Sequence, residues 1–146
     1  MKISKVIKKD FSDWVKIGTL FWLKWTEIKV KKEFSKIIAS KKEVSFICRT
    51  DDGSAIGFIN IAIRSDYVEG SKTSPVGYLE GIYIKRGHRE KGVAKMLFKE
   101  AQKWFFKKRV SEVGSDTGVR NTTSQKFHKS VGFRKYETLV HFIKKI

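Results

Sequence analysis

The strongest constraint on this chain is a change of period between Leu79 and Lys108. Leu79 to Ile84 is a short apolar run of the β-branched and aromatic residues that strands favour. Lys85 to Lys91 is basic and polar and contains Gly87. From Gly92 onward the apolar residues Val93, Met96, Leu97, Ala101, Trp104 and Phe105 fall at offsets 0, 3, 4, 8, 11 and 12, which is one face of a helix. A strand must therefore feed an amphipathic helix through a short, basic, glycine-containing loop. The first turn of a helix has four backbone N–H groups without intrahelical partners, and with the helix dipole they favour an anion by about 0.3–1 kcal/mol. Gly92 lacks a β-carbon and lets a ligand approach the backbone, while Arg89 and Lys91 add charge and donors. The junction reads as a phosphate-binding device.

The remaining elements follow from pattern and punctuation. Lys2 to Ile7 reads as a first strand. Asp10 is placed to cap a helix that has Asp13 in its first turn and Trp14, Ile17 and Phe21 at helical spacing, slightly weakened by Gly18. Trp22 and Trp25 can share a face near the end of that helix, either as core or as an aromatic wall able to stack on a sugar or attract a cation. Thr26 caps a second helix through Ser40, striped by Val30, Phe34, Ile37 and Ile38. Val44 to Arg49 and Ala55 to Ile63 are strands joined by the turn signal Asp51-Asp52-Gly53. A polar connection carrying Tyr67 leads to a third strand, Val76 to Ile84, in an antiparallel meander. The long helix runs to about Lys108. Glu112 to Ser115 is a short strand ending at Asp116. Asn121 caps a helix with Phe127 and Val131, which Gly132 closes. Phe133 to Ile146 reads as two further short strands. An α+β domain with a mixed, mostly antiparallel sheet and flanking helices satisfies this order.

A length of 146 residues suits a single domain spanning the chain, and 40% hydrophobic residues with four Trp and eleven Phe can supply its core. Cys48, the only cysteine, excludes an internal disulfide and fits a reducing compartment. No apolar segment has signal-peptide or membrane-spanning length, so the reading is a soluble, cytoplasmic protein. The net charge of +17 permits nucleic acid, anionic membranes or polyphosphate cofactors as partners. However, the 32 Lys and Arg are scattered rather than blocked, and no zinc-finger spacing or aromatic RNA-binding signature accompanies them. Neither nucleic acid nor membrane is expected as a partner, and no metal site is expected.

Arg89-x-x-Gly92-x-Ala94 resembles the (Gln/Arg)-x-x-Gly-x-(Gly/Ala) acetyl-CoA signature of the GNAT acetyltransferases, and the element order is similar to theirs over essentially the full length. A wider set of motifs resembles the bacterial aminoglycoside 6′-N-acetyltransferases: Leu20-Phe21-Trp22, Arg64-x-Asp66-Tyr67-Val68-x-Gly70, Ser74-Pro75-Val76, Leu79-Glu80-Gly81-Ile82-Tyr83, Gly92-Val93-Ala94, Ser115-Asp116, Asn121-Thr122 and Gly132-Phe133. The resemblance implies acetyl transfer from acetyl-CoA, as cosubstrate, to the 6′-amine of drugs such as kanamycin. It implies that Ile82, Tyr83 and Ile84 hold the pantetheine arm and acetyl carbonyl by backbone hydrogen bonds. Arg89, Glu90, Lys91, Gly92, Val93, Ala94 and Lys95 would cradle the pyrophosphate, and Asn121 would contact the CoA arm. Trp22, Trp25, Tyr67, Glu80, Asp116 and Glu137 would line the acceptor site, with Asp116 and Glu80 as candidate bases and Ile82 as the oxyanion donor. Trp25 stands where these relatives carry His. Where many GNAT enzymes place a tyrosine to protonate the leaving thiolate, this chain offers Phe127, or His128 one residue on, and either register is open; water is a third source of the proton.

Three functional readings follow. A saccharide polycation suits the aromatic and acidic wall. A polyamine or a protein or peptide amine would share the cofactor residues. A nucleic-acid-binding module would need no acetyl-CoA. Relatives of this kind often pair as homodimers through C-terminal strands, and Leu139 to Ile143 is apolar enough to form such an edge.

Overall fold

The computed structural model describes residues 1–146, which divide into two compact units, Met1–Asp116 and Thr117–Ile146. In the first, strands β1 (Lys2–Lys5), β2 (Glu43–Arg49), β3 (Ala55–Arg64), β4 (Val76–Ile84) and β5 (Val113–Ser115) form one sheet in chain order. Neighbours are antiparallel except β4 and β5, which run parallel. The helices of this unit are α1 (Phe11–Phe21), α2 (Glu27–Ala39) and α3 (Val93–Lys107). The mixed, mostly antiparallel sheet expected from the sequence is present, and β4 spans the residues its apolar run marks out.

The helices cover opposite faces of the sheet. Trp14 and Ile17 of α1 and Val30 and Phe34 of α2 pack on Ile47 and Phe58. Gly18, a mild weakness in an isolated helix, is what allows this: a β-carbon there would stand 2.6 Å from the Phe34 ring. The Trp14 and Phe34 rings stack with centroids 3.8 Å apart. On the other face Phe105 of α3 lies against Gly77, where a β-carbon would meet it at 2.7 Å. Gly81 faces Phe21 and Trp22 instead. Its β3 partner is Asn60, whereas Gly77 pairs with Ile63, and three residues of separation along β3 put the two on opposite faces.

Some local expectations change. Asp10 occupies the position before α1, but its carboxylate does not cap that helix. It accepts from the Ile7 N–H (3.1 Å) and from Arg49 (3.0 Å), and Arg49 also donates to Asp13 (2.8 Å). A guanidinium offering several donors outcompetes a single helix N–H for this buried carboxylate. Trp22 and Trp25 lie in the turn after α1, closed by the Trp25 N–H to the Trp22 carbonyl (2.9 Å), rather than on a helix face. Thr26 caps α2 as expected, accepting from Lys29 N–H at 3.2 Å. Cys48 is fully buried in β2, and burial pushes its thiol pKa up, so it is structural.

In the second unit, α4 (Thr122–Ser130) is capped by Asn121, which accepts from the Ser124 N–H at 3.0 Å. Gly132 closes it with φ of +96°. The two strands expected over 133–146 do not form: that stretch has no regular secondary structure. Leu139, Val140, Phe142, Ile143 and Ile146 stand in solvent, Phe142 at 91% and Ile143 at 99% exposure. A strand requires a partner ladder, and within one chain this segment has none.

Candidate functional site

The sheet opens where β4 outruns β5. The parallel pairing covers only Gly77–Leu79 against Val113–Ser115, so from Glu80 to Ile84 one edge of β4 has no strand beside it. Which backbone groups face that edge follows from register. The Lys85 N–H reaches the Ile56 carbonyl on the β3 side (2.9 Å), so in an antiparallel ladder Tyr83 and Gly81 also turn to β3, and Ile82 and Ile84 turn to the open edge. Tyr83, expected among the backbone donors, instead has its backbone in the ladder, with its ring 6.0 Å from Phe21. The Ile84 carbonyl is already taken by the Arg89 Nε–H at 2.9 Å. Ile82 is the residue whose N–H and carbonyl both look into the gap, so its N–H is directed at whatever lies along that edge.

The loop beyond β4 presents donors. Residues Arg86–His88 form a single 3-10 turn, Glu90 and Gly92 adopt positive φ (+61° and +77°), and α3 starts at Val93. The first helical bond runs from the Met96 N–H to the Gly92 carbonyl (3.0 Å), so the N–H groups of Val93, Ala94 and Lys95 have no intrahelical acceptor. No side chain caps them. A β-carbon on Gly92 would meet nothing within 4 Å, so the space in front of the helix is open. Lys91 leans back onto the Gly87 carbonyl at 3.0 Å. Uncapped donors, a free approach and local positive charge suit a phosphate-bearing ligand such as CoA, and the residues present fit it.

At the other end of the open edge β4 carries a bulge. Asn60 pairs with Gly81 and Ile61 with Leu79, leaving Glu80 without a partner on β3. Arg64, the last residue of β3, donates to it three times: Nε to Oε1 at 3.1 Å, and Nη2 to Oε1 at 2.9 Å and Oε2 at 3.0 Å. The Arg64 guanidinium carbon lies 3.4 Å from the Tyr78 ring centroid. Tyr78 in turn hydrogen-bonds Asp116, which follows β5 directly. Burial, aided by the negative charge of Asp116, pushes the phenol pKa up, so at neutral pH it remains a donor to the carboxylate. Glu80 and Asp116 are thus joined through Arg64 and Tyr78. The sequence reading treated them as two similar carboxylates, but one is clamped by a cation and the other is held by a phenol.

Beside Gly81 stands the aromatic wall. Trp22 stacks on Trp25 (5.0 Å, 10°) and on Phe58 (5.9 Å), with Phe21 edge-on at 4.4 Å. Lys29 Nζ sits 4.4 Å over Trp25, so the chain itself supplies a cation to that ring. Tyr67 is exposed on the 65–75 connection, its hydroxyl 3.4 Å from Glu69. Asn121 and Glu137 belong to the second unit. There His128 Nδ1 donates to the Ser124 carbonyl at 2.7 Å, which fixes its tautomer. Arg64 and Tyr78, which link the two candidate carboxylates, are not among the candidates the sequence offers. Their signal was the alternation of Tyr78 and Glu80 along one apolar strand, and it needs the β3 register to be read.

The sequence and the fold are similar to those of known proteins. The model of the acetyltransferase (GNAT) family matches residues 14–133. The chain is 35% identical over 146 residues to an aminoglycoside N(6′)-acetyltransferase type 1 of Acinetobacter haemolyticus, covering 100% of this chain and 99% of the relative. It is 42% identical over 110 residues to one of Salmonella typhimurium, covering 75% of each. The structure of AAC(6')-Iy in complex with the bisubstrate analogue CoA-S-monomethyl-acetylneamine superposes with a TM-score of 0.93 at 34% identity, covering 99% of this chain and 98% of that one.

Proposed function

The chain belongs to the GNAT acetyltransferase family and, within it, to the aminoglycoside N(6′)-acetyltransferases of type 1, and from that premise we propose that it acetylates the 6′-amine of aminoglycosides with acetyl-CoA and so confers resistance to them. The observation that carries this reading is the opened edge of β4. One short stretch of strand offers the Ile82 backbone to a thioester carbonyl and ends, through its bulge, beside the carboxylates Glu80 and Asp116.

Acetyl-CoA supplies the thioester: the amine nitrogen bonds to the carbonyl carbon, the carbon–sulfur bond breaks, and CoA leaves as the thiolate. The chain's residues prepare each partner. A lysine-like amine of pKa about 10.4 costs roughly 4.6 kcal/mol to neutralise at pH 7. Asp116 accepts that proton, directly or through water, after holding the ammonium in place. The Ile82 N–H donates to the carbonyl oxygen as negative charge develops there, an interaction worth about 2.7–4 kcal/mol in such sites. The uncapped turn Val93 to Lys95, with Arg89, Glu90, Lys91 and Gly92, receives the pyrophosphate. Trp22, Trp25 and Tyr67 line the acceptor side. Asn121 and Glu137 keep the roles the family resemblance gives them, and the proton for the thiolate comes from water. A cytoplasmic setting supplies the acetyl-CoA.

The test is thiol release from acetyl-CoA with kanamycin, beside spermidine and a lysine peptide. Turnover with kanamycin, absent for a 6′-hydroxyl analogue, is expected. Turnover with only the peptide or the polyamine would discard the acceptor assignment. For the cofactor loop, Gly92→Val places a β-branched side chain at φ of +77° in the open approach. The KM for acetyl-CoA should rise about tenfold or more while the KM for kanamycin holds. An unchanged acetyl-CoA KM would remove Gly92 from the site.

The protein also acts as a homodimer in this reading. Leu139, Val140, Phe142, Ile143 and Ile146 are all exposed, and a second copy offers the ladder and apolar cover that 133–146 lacks within one chain. Sedimentation at micromolar concentration should give a dimer mass, and Val140→Asp with Phe142→Asp should give a monomer. A monomeric wild type would exclude the dimer.

A further inference from the structure

We propose that Arg64 is an acceptor-specificity residue, and that with Glu80 it forms a net-neutral hydrogen-bonding platform that reads sugar hydroxyls rather than ammonium groups. The proposal rests on the acceptor site lying beside Glu80 and Asp116, as argued above. A cation in a site for polycations is otherwise out of place. Its surroundings show how it is used. Arg64 is fixed on two sides: its plane rests 3.4 Å over Tyr78, and its Nε and Nη2 hydrogens are consumed by both oxygens of Glu80. That fork neutralises Glu80, so an incoming ammonium finds its uncompensated carboxylate at Asp116 instead.

The donor count completes the argument. A guanidinium has five N–H groups, and the three bonds to Glu80 use those on Nε and Nη2. The two hydrogens of Nη1 have no protein acceptor. Oε1 of Glu80 accepts twice and Oε2 once, so Oε2 retains a lone pair. Both side chains are about one-third exposed, at 36% and 33%, so this edge is open to a ligand. Two donors on Nη1 and one acceptor on Oε2, with no net charge on the pair, suit sugar hydroxyls, which both give and take hydrogen bonds. The bulge makes Glu80 dependent on Arg64, because Glu80 has no β3 partner to hold its backbone. Division of labour follows: Asp116 anchors and deprotonates the amine, and the Arg64–Glu80 pair orients the ring that carries it.

The experiment is steady-state kinetics of wild type, Arg64→Lys and Arg64→Gln with two acceptors: a kanamycin, and its analogue lacking the two ring hydroxyls nearest the 6′-amine. Melting curves confirm that each variant folds. Arg64→Lys keeps the charge but loses the fork and the free Nη1. It should raise the KM for kanamycin at least tenfold, move kcat less than threefold, leave the acetyl-CoA KM unchanged, and alter the KM for the deoxy analogue less than threefold. Arg64→Gln should do the same, and in a Glu80→Gln background Arg64→Lys should add less than threefold. Equal KM losses for both acceptors, or a fall in kcat with constant KM, would overturn the proposal. If either variant does not fold, the other decides; if neither folds, Arg64 serves the fold and the proposal falls. A wild type that acetylates no aminoglycoside would defeat the proposed function itself, whereas an active wild type indifferent to Arg64 would defeat only this inference.

Discussion

Asp116→Asn is expected to lower kcat/KM for kanamycin by about 100- to 1000-fold, within the range a positioned general base contributes. The asparagine keeps the size and the hydrogen bond from Tyr78 but can neither take the ammonium proton nor anchor its charge, so kcat and KM should both suffer. The chemistry should persist. Holding amine and thioester together supplies as much as ~7–11 kcal/mol, and the Ile82 N–H remains in place. The residual rate should carry its own signature. Without a base, only the free-amine fraction reacts, and that fraction grows about tenfold per pH unit below the amine pKa. The variant should therefore recover steeply as pH rises, while the wild type changes less. Glu80→Gln is the contrast, because a carboxylate already forked by Arg64 should act mainly on KM. If Glu80→Gln instead matches Asp116→Asn in kcat and in pH dependence, the base is Glu80.

How much of this could be read from the chain depends on the range of the interaction. β4 and α3 were legible because strand alternation and helical spacing are local, and the caps Thr26, Asn121 and Gly132 act within four residues of themselves. The uncapped, glycine-containing start of α3 was legible for the same reason: glycine at a positive φ and an uncapped first turn are written in a few consecutive residues. Asp10 was misread because its partner, Arg49, lies 39 residues away. The Arg64–Glu80 fork was invisible because it depends on the β3–β4 register, and a one-residue bulge changes which face Glu80 takes. The C-terminal strands were misplaced for the converse reason. Leu139 to Ile143 has strand-like composition, but composition does not supply the neighbouring ladder.

Trp22→Ala carries the largest expected effect on stability and separates the two meanings of the indole pair. Trp22 is half-buried yet touches Phe21, Trp25, Phe34 and Phe58. Truncation leaves a cavity at the meeting point of α1, α2 and β3, costing about 3 kcal/mol and lowering the melting temperature by roughly 6–12 °C. Were Trp22 only core, the surviving folded enzyme would keep its KM for kanamycin. As the wall beside Gly81 and Glu80, its loss should also raise that KM about tenfold, with the acetyl-CoA KM unchanged. Gly81→Ala tests the same wall without removing it: the new β-carbon would stand 2.9 Å from Phe21 and 3.2 Å from Trp22, so the rings must shift. Overpacking of this kind costs about 1–3 kcal/mol, and the displaced indole should raise the kanamycin KM in the same direction. Trp25→Ala should cost less stability, because its ring is supported chiefly by Trp22 and Lys29. A fall in melting temperature for Trp22→Ala and Gly81→Ala with no change in either KM would place both residues in the core alone and move the acceptor wall elsewhere.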